Sequence, residues 1–196
     1  MVLLGLVAVI IAIVLVIVRP GSSQGDEPDA AGAPTSSAGP SATDAAEPPP
    51  TVIPTESVAA DGDACAEKNV VVEAVTDKTV YEAGEQPQLS VTITNTGKNT
   101  CVLNAGTKAQ VFTITSGEEV YWVSSDCQVD PIDAEVSLAP GTPISSSVPI
   151  VWDRTRSSAE TCEGPREAVP AGGASYHLEV TVDGIASEAS KQFQLY

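Results

Sequence analysis

The fold class of this 196-residue chain is decided by the stretch Tyr176-His177-Leu178-Glu179-Val180-Thr181-Val182-Asp183-Gly184. Apolar and polar side chains alternate along it, which is the period of a β-strand that buries one face. Asp183-Gly184 then supplies a two-residue hairpin turn, and the chain continues into a strand that carries Phe193 and Leu195. This stretch therefore predicts a β-hairpin near the carboxyl end of the chain.

Short strand-like runs of the same kind continue back to residue 70. They are separated by turn sequences such as Ser116-Gly117 and Pro140-Gly141, and no window has a sustained helical period. The predicted strands are 70–75, 89–94, 101–103, 111–115, 120–123, 136–138 and 148–152, followed by the carboxyl-terminal hairpin. About eight to ten strands at this spacing predict an all-β sandwich or small barrel. We expect an antiparallel sandwich, because the alternating faces share an aliphatic core and the chain has no internal repeat.

The amino-terminal region differs sharply from the rest of the chain. Residues 2–18 carry no polar side chain, and at about 1.5 Å per residue they reach the thickness of the hydrocarbon layer. Arg19-Pro20 follows directly, without a small-residue cleavage site, so residues 1–19 are expected to be an uncleaved transmembrane signal anchor. Arg19 would favour the cytoplasmic side, and we therefore hypothesise that a basic cytoplasmic segment precedes Met1.

Residues 20–64 are rich in Pro, Ala, Ser and Thr, with scattered acidic side chains. Such a composition buries too little apolar surface to fold, which predicts a disordered, extended linker. Its hydroxyl side chains also suit O-glycosylation, an alternative to a plain spacer. Residues 65–196 remain for the folded domain, which is expected to lie outside the cytoplasm on a single-pass tether to the cell membrane.

Four cysteines, Cys65, Cys101, Cys127 and Cys162, lie in this domain, and none belongs to a CxxC pair. The only histidine, His177, falls in a strand rather than near a cysteine, so metal ligation is not expected. An even number of cysteines behind a membrane anchor predicts two disulfides. Three connectivities are possible, and we favour Cys65 with Cys101 and Cys127 with Cys162.

The charge of the domain limits its partners. Residues 65–196 carry eighteen acidic and eight basic side chains, a net charge of −10. An acidic domain of this kind is not expected to bind nucleic acid or anionic lipid through a charged face. His177 lies on the polar face of its strand without a nearby Asp to orient it, so no catalytic site and no cofactor are expected.

One segment, residues 153–174, is unusually long for a connection in a tight domain. It has no clear strand, and it contains Cys162 and three of the basic side chains of the domain. Two interpretations remain open: a crossover that the disulfide and prolines tie down, or a recognition loop. The candidate interaction residues in and around it are Trp122, Trp152, Asp153, Arg154, Arg156 and Arg166.

Tyr121 and Trp122 are neighbours in one predicted strand, where successive side chains point to opposite faces. We therefore expect one of the two rings to lie outward or under a loop. An exposed ring beside the arginines would mark a binding patch.

Several motifs together resemble the BsuPI-type (intracellular proteinase inhibitor) family. In chain order they are Tyr81-Glu82-Ala83-Gly84-Glu85, Leu89-Ser90-Val91-Thr92-Ile93-Thr94-Asn95-Thr96-Gly97, Gln110-x-Phe112, Gly117, Val120-Tyr121-Trp122, Leu138-Ala139-Pro140-Gly141, Trp152-Asp153, Gly173 and Tyr176-x-Leu178. The resemblance covers residues 70–182 and implies an immunoglobulin-like sandwich. Unlike that family, this chain has four cysteines and an apolar amino-terminal run.

Three functions are compatible with the sequence. The leading hypothesis is a non-enzymatic interaction module on the envelope of an actinobacterial or similar cell, with another envelope protein or a wall glycan as its partner. The second is a surface protease inhibitor that presents Arg154 or Arg156 to a trypsin-like enzyme. The third is a purely structural spacer in the cell wall.

Overall fold

The computed structural model describes residues 51–196, and nearly all of its regular structure is β-strand. One turn of 3₁₀ helix, Glu67–Asn69, precedes the second strand. The strands are β1 Val52–Ile53, β2 Val70–Thr76, β3 Val80–Tyr81, β4 Gln88–Asn95, β5 Cys101–Asn104, β6 Gln110–Ser116, β7 Glu119–Val123, β8 Glu135–Leu138, β9 Pro143–Ser146, β10 Ile150–Val151, β11 Ala174–Val182, β12 Ile185–Ala186 and β13 Lys191–Leu195. The all-β prediction is confirmed.

Two main sheets build the fold. In the first sheet β4 is central, with β2 on one side and both β9 and β10 on the other, and β1 pairs with the outer edge of β9. The second sheet has the order β3-β13-β11-β6-β7, and β12 pairs with the end of β11. Strands β5 and β8 form a separate two-stranded pair. The arrangement is sandwich-like, as predicted.

The core follows from the alternation of side chains along these strands. In β4 every second residue, from Leu89 to Asn95, is buried, and in β11 the buried positions run from Tyr176 to Val182. Five aromatic rings, those of Tyr81, Phe112, Trp152, Tyr176 and Phe193, are each 1% exposed. Burial of a large apolar side chain contributes about 1.5 to 3 kcal/mol, so this core supplies most of the stability.

Both favoured disulfides are confirmed. Cys65 is bonded to Cys101 at the start of β5, and Cys127 is bonded to Cys162. The first bond lies against the core, whereas Cys162 of the second bond is exposed at the surface.

The strand predicted at 148–152 differs in the structure. Strands β9 and β10 lie one after the other along the same edge of β4, with residues 147–149 between them. Pro149 has no N–H to donate to a ladder, and the hydroxyl of Ser146 accepts a bond from the Val91 N–H. A Ser-rich and Pro-rich stretch thus becomes an interrupted strand that the alternation pattern did not reveal.

The carboxyl-terminal hairpin also has an extra step. Asp183 and Gly184 form the predicted turn, both with positive φ, but the turn leads into the two-residue strand β12. The chain then leaves the sheet at 187–190 before it returns as β13, which carries Phe193 and Leu195 and pairs with the first half of β11 along the same edge as β12.

The sequence predicted an antiparallel arrangement, but not every pair of strands is antiparallel. Strand β3 pairs with β13 in parallel, because the chain crosses from the first sheet to the second between β2 and β3. Asp77 holds this crossing: its carboxylate accepts bonds from the Tyr81 hydroxyl at 2.6 Å and from the Gln88 N–H at 2.8 Å. Local patterns do not show where a chain changes sheets.

Part of the segment expected to be linker, residues 51–64, is folded against the domain. Strand β1 pairs in parallel with β9, and Ile53 is only 4% exposed. Further bridges join Val58 to Ala134 and Ala64 to Val102. The boundary at 64 is therefore corrected, since the few apolar side chains here find partners that only the tertiary structure supplies.

The other amino-terminal predictions lie outside the described residues: the anchor at 1–19 and the linker from 20 to 50. Within residues 51–196 the structure has no helix that is both long and apolar enough to cross a bilayer.

Gly106 gives a direct test of the close packing between the main chain at residue 106 and the main chain at 132–134. A Cβ at this position would lie 2.3 Å from the carbonyl oxygen of Ile132 and 2.5 Å from the amide nitrogen of Ala134. We expect Gly106→Ala to destabilise the full-length chain by about 1 to 3 kcal/mol in denaturant unfolding, because the backbone must move apart. Gly164→Ala is the matched control, since nothing lies within 4 Å of its Cβ. Equal stability of the two variants would contradict this packing.

Candidate functional site

The candidate loop, residues 153–174, lies between two core residues, Trp152 and Tyr176. Trp152 and Tyr176 pack edge to face with their ring centroids 5.7 Å apart, and both also contact Phe193. The Tyr176 hydroxyl donates to the main-chain oxygen of Pro170 at 2.7 Å, and burial raises its pKa to about 12. Trp152, which was a candidate interaction residue, is thus a core residue that closes the base of the loop.

The two arms of the loop pair with each other. Thr155 forms an antiparallel bridge with Ala168. Main-chain bonds flank it, from Arg156 N–H to Glu167 at 2.8 Å and from Val169 N–H to Arg154 at 2.9 Å. The loop therefore contains a short ribbon, although its sequence has no strand pattern.

Arg154 fastens the loop to the rest of the domain. Its φ of +62° is in the left-handed region. The guanidinium donates to the main-chain oxygens of Glu82 at 2.9 Å, Glu85 at 3.2 Å and Tyr196 at 2.8 Å. Arg154 thus joins the turn after β3 and the end of β13 through three hydrogen bonds within the protein.

Arg156 lies over an aromatic ring. Its guanidinium carbon is 4.1 Å from the ring centroid of Tyr121, a cation–π contact. It also pairs with Glu119 at 2.8 Å and, more loosely, with Glu167 at 3.7 Å. The hydrogen bond from Arg156 lowers the pKa of the Glu119 carboxyl and keeps the pair ionised.

Arg166 pairs with Asp153 across the entrance of the loop. Asp153 also accepts a bond from the Thr155 hydroxyl at 2.6 Å. The pair borders an open cleft of about 250 Å³, whose lining comprises Trp122, Val123, Ser124, Cys127, Val151, Asp153 and Arg166. The structure therefore brings Trp122, Asp153 and Arg166 together, whereas the Arg154 guanidinium binds elsewhere.

Ser157, which the sequence did not single out, seals the edge of β7. Its N–H donates to the Tyr121 oxygen at 3.0 Å, and its hydroxyl accepts from the Val123 N–H at 2.8 Å. The same hydroxyl donates to Asp126 at 2.5 Å, and the disulfide from Cys127 to Cys162 lies next to it. An open strand edge invites pairing with other chains, and this contact blocks it.

A β-bulge interrupts the alternation of side chains at Tyr121 and Trp122. The ladder between β6 and β7 pairs Thr115 with Val120 and Ile114 with Trp122, which leaves Tyr121 as the extra residue of a β-bulge. Tyr121 and Trp122 are 9% and 8% exposed. Strict alternation does not hold at this bulge, but one ring does lie under a loop as expected, since the Arg156 guanidinium covers Tyr121 at 4.1 Å from its ring centroid.

The outward side of the loop is acidic. Glu160, Glu163 and Glu167 are exposed, whereas the side chains of Arg156 and Arg166 are only 30% and 25% exposed and face carboxylates. The sequence signal for this arrangement is the presence of three glutamates within residues 160–167, against one arginine. The surface that the loop presents is therefore suited to positively charged groups.

No metal-binding arrangement accompanies these carboxylates: among residues 51–196, no group of three or more His, Cys, Asp or Glu side chains is placed to hold an ion. His177 lies on β11 with Nδ1 3.1 Å from the Ser190 hydroxyl.

Comparison with known proteins yields no relative by sequence: no family model matches the chain, and no curated protein matches it. Among solved structures, a β-glucosidase from Erythrobacter marinus is 13% identical over 65% of this chain and 15% of its own, with a TM-score of 0.38. A β-glucosidase from Listeria innocua in complex with isofagomine is 12% identical over 64% of this chain and 16% of its own, with a TM-score of 0.35. The sporulation control protein Spo0M from Bacillus subtilis is 12% identical over 65% of this chain and 49% of its own, with a TM-score of 0.33. Similarity this low carries no inference about function.

Because Arg154 joins the loop to two other parts of the domain, replacing it should lower the stability of the fold. We expect Arg154→Ala to lower the free energy of unfolding of the full-length chain by about 1 to 2 kcal/mol, because three main-chain acceptors lose a charged donor at a partly exposed site. Arg154→Gly should lose less, since glycine accepts the left-handed φ. Denaturant unfolding that finds both variants as stable as the parent would contradict this role.

The two disulfides should differ in their resistance to reduction. Cys162 is exposed at the loop tip, whereas Cys65 and Cys101 pack against the core. Under native conditions with dithiothreitol, alkylation and peptide mass spectrometry should label Cys127 and Cys162 well before Cys65 and Cys101, because access limits thiol attack. The reverse order, or simultaneous labelling, would contradict the prediction that the disulfide at the loop tip is the more accessible of the two.

Proposed function

We propose that this chain is a membrane-anchored, non-catalytic binding module of the cell envelope. Its folded part is an immunoglobulin-like sandwich of the BsuPI type, held outside the cytoplasm by the apolar anchor of residues 1–19 and the linker that follows. Its partner is an envelope protein, and the loop at 153–174 provides the contact surface.

The topology supports the immunoglobulin-like assignment. Strand β11 is flanked by β6 and β13 in one sheet and β4 by β2 and β9 in the other, with the chain changing sheets between β2 and β3. The hydroxyl of Tyr176, near the start of β11, donates to the main chain six residues upstream. Such a tyrosine corner is a hallmark of immunoglobulin-like sandwiches.

The placement outside the cytoplasm is supported by the cysteines. All four are paired in two disulfides, a state that persists in oxidising compartments and is rare in the cytosol. The apolar run at 2–18 is long enough to serve as the anchor.

The observation that carries the binding function is the fastening of the loop. The Trp152–Tyr176 contact, the Arg154 bonds, the ion pairs of Arg156 and Arg166, and the disulfide hold a long loop in one conformation. A fixed loop loses little conformational entropy on binding, which favours affinity. Its exposed glutamates favour a basic protein surface over a neutral wall glycan.

The same geometry does not favour protease inhibition. An inhibitor of a trypsin-like enzyme would have to present a free arginine, but Arg154 is bound to three main-chain oxygens and Arg156 lies over Tyr121. Releasing either one would break the contacts that order the loop.

Cross-linking in the native cells tests the proposal. The full-length chain with a photoreactive residue in place of Thr161, at the exposed loop tip, should capture an envelope protein in a discrete adduct. The double variant Glu160→Lys with Glu163→Lys should lose most of that adduct, because it reverses the charge of the tip. The control Glu135→Lys with Glu179→Lys changes the net charge equally at exposed sites on β8 and β11 and should retain it. An adduct that persists in the loop variant, or none in the parent, would refute the proposal.

A further inference from the structure

Strand β2 has one unpaired edge. Two hydrogen bonds at the ends of the strand show which of its residues bond to β4 and which face outward. Thr96 N–H donates to the Asn69 oxygen at 2.8 Å, and Asp77 N–H donates to the Gln88 oxygen at 3.1 Å. Antiparallel ladders alternate between bonded and non-bonded pairs. The odd-numbered residues 71, 73 and 75 therefore bond to β4, and the main-chain N–H and C=O groups of Val72 and Ala74 point away from it.

These outward groups have no hydrogen-bond partner in the part of the chain that the structure describes. Other edges are protected: Ser157 covers β7, β1 covers β9, and β3 is only two residues long. Strand β2, with seven residues, is the longest strand whose edge is left unpaired in residues 51–196.

An open cleft lies alongside this edge. Residues 71–74 form one wall and residues 188–191 the other, around a volume of about 310 Å³. Val72 is 1% exposed, Ala74 is half-buried, and Glu73 is exposed. An open strand edge is a template for pairing, so an added strand can make a main-chain hydrogen bond to each outward group.

The charges around the cleft select the occupant. The exposed carboxylates of Glu73 and Glu188 flank it, and Lys191 is the one basic side chain in its lining. A second copy of the chain is disfavoured, because each copy of residues 65–196 carries a net charge of −10.

We propose that the β2 edge binds an extended, positively charged segment of a partner protein as an added strand. Main-chain bonds to Val72 and Ala74 supply the affinity, and basic side chains of the segment meet Glu73 and Glu188. This site is separate from the loop at 153–174 and does not rest on the function proposed for it.

A synthetic peptide serves as the probe. Ten residues of alternating Lys and Val, fluorescently labelled, are titrated with the purified full-length chain in mild detergent, and a peptide of alternating Glu and Val is the charge control. We expect the Lys–Val peptide to bind at least tenfold more tightly. Comparable affinities for the two peptides, or no binding of either, would overturn the proposal.

Ala74→Pro locates the binding. Proline at 74 removes the outward N–H but no bond to β4, so the fold should persist while the affinity for the Lys–Val peptide falls at least tenfold. If this variant unfolds, the double variant Glu73→Lys with Glu188→Lys tests the location of the site instead, because it should reverse the preference between the two peptides. The loop variant Glu160→Lys with Glu163→Lys should bind the peptide as the parent does. Undiminished binding by a folded Ala74→Pro or by the charge-reversed variant would place the peptide elsewhere.

Discussion

The edge-to-face contact between Trp152 and Tyr176 is the constraint on which the rest of the candidate site depends. Trp152 directly follows β10 and Tyr176 is the third residue of β11, so the two lie on either side of the loop at 153–174, and their rings meet in the core with centroids 5.7 Å apart. Because both ends of the loop are fixed by buried aromatic rings, the loop can fold back on itself and pair Thr155 with Ala168. The hydroxyl of Tyr176 then holds Pro170, so the same ring orders the return arm.

The few basic side chains near the loop bind groups within the protein and so hold the loop in place. Arginine suits this use because its planar fork donates to several acceptors at once, as Arg154 does, and stacks on rings, as Arg156 does on Tyr121. With the arginines turned inward, the exposed side chains are glutamates, so the loop that seemed basic in sequence presents an acidic surface. The charge composition of a segment alone does not show which of its acidic and basic side chains face solvent.

Local patterns predicted much of the fold. Short strand-like runs located β2, β4, β6, β7 and β11, and the even number of cysteines predicted two disulfides, whose favoured pairing is the one observed. Features that depend on tertiary partners were missed: the bulge at Tyr121, the strand broken at Pro149, the change of sheet after Asp77, and the pairing of residues 51–64. For the candidate site, the sequence indicated the loop at 153–174 but not the direction of its side chains, because the main-chain acceptors for Arg154 come from residues distant along the chain.

Hydrogen exchange of the full-length chain, followed by mass spectrometry, measures directly whether the loop at 153–174 is a fixed surface or a flexible connection. Peptides that cover 153–157 and 167–173 should exchange slowly, at rates close to those of β11, while residues 159–165 at the tip should exchange faster, because only the disulfide and short-range bonds hold them. Exchange at unprotected rates across the whole of 153–173 would contradict the account.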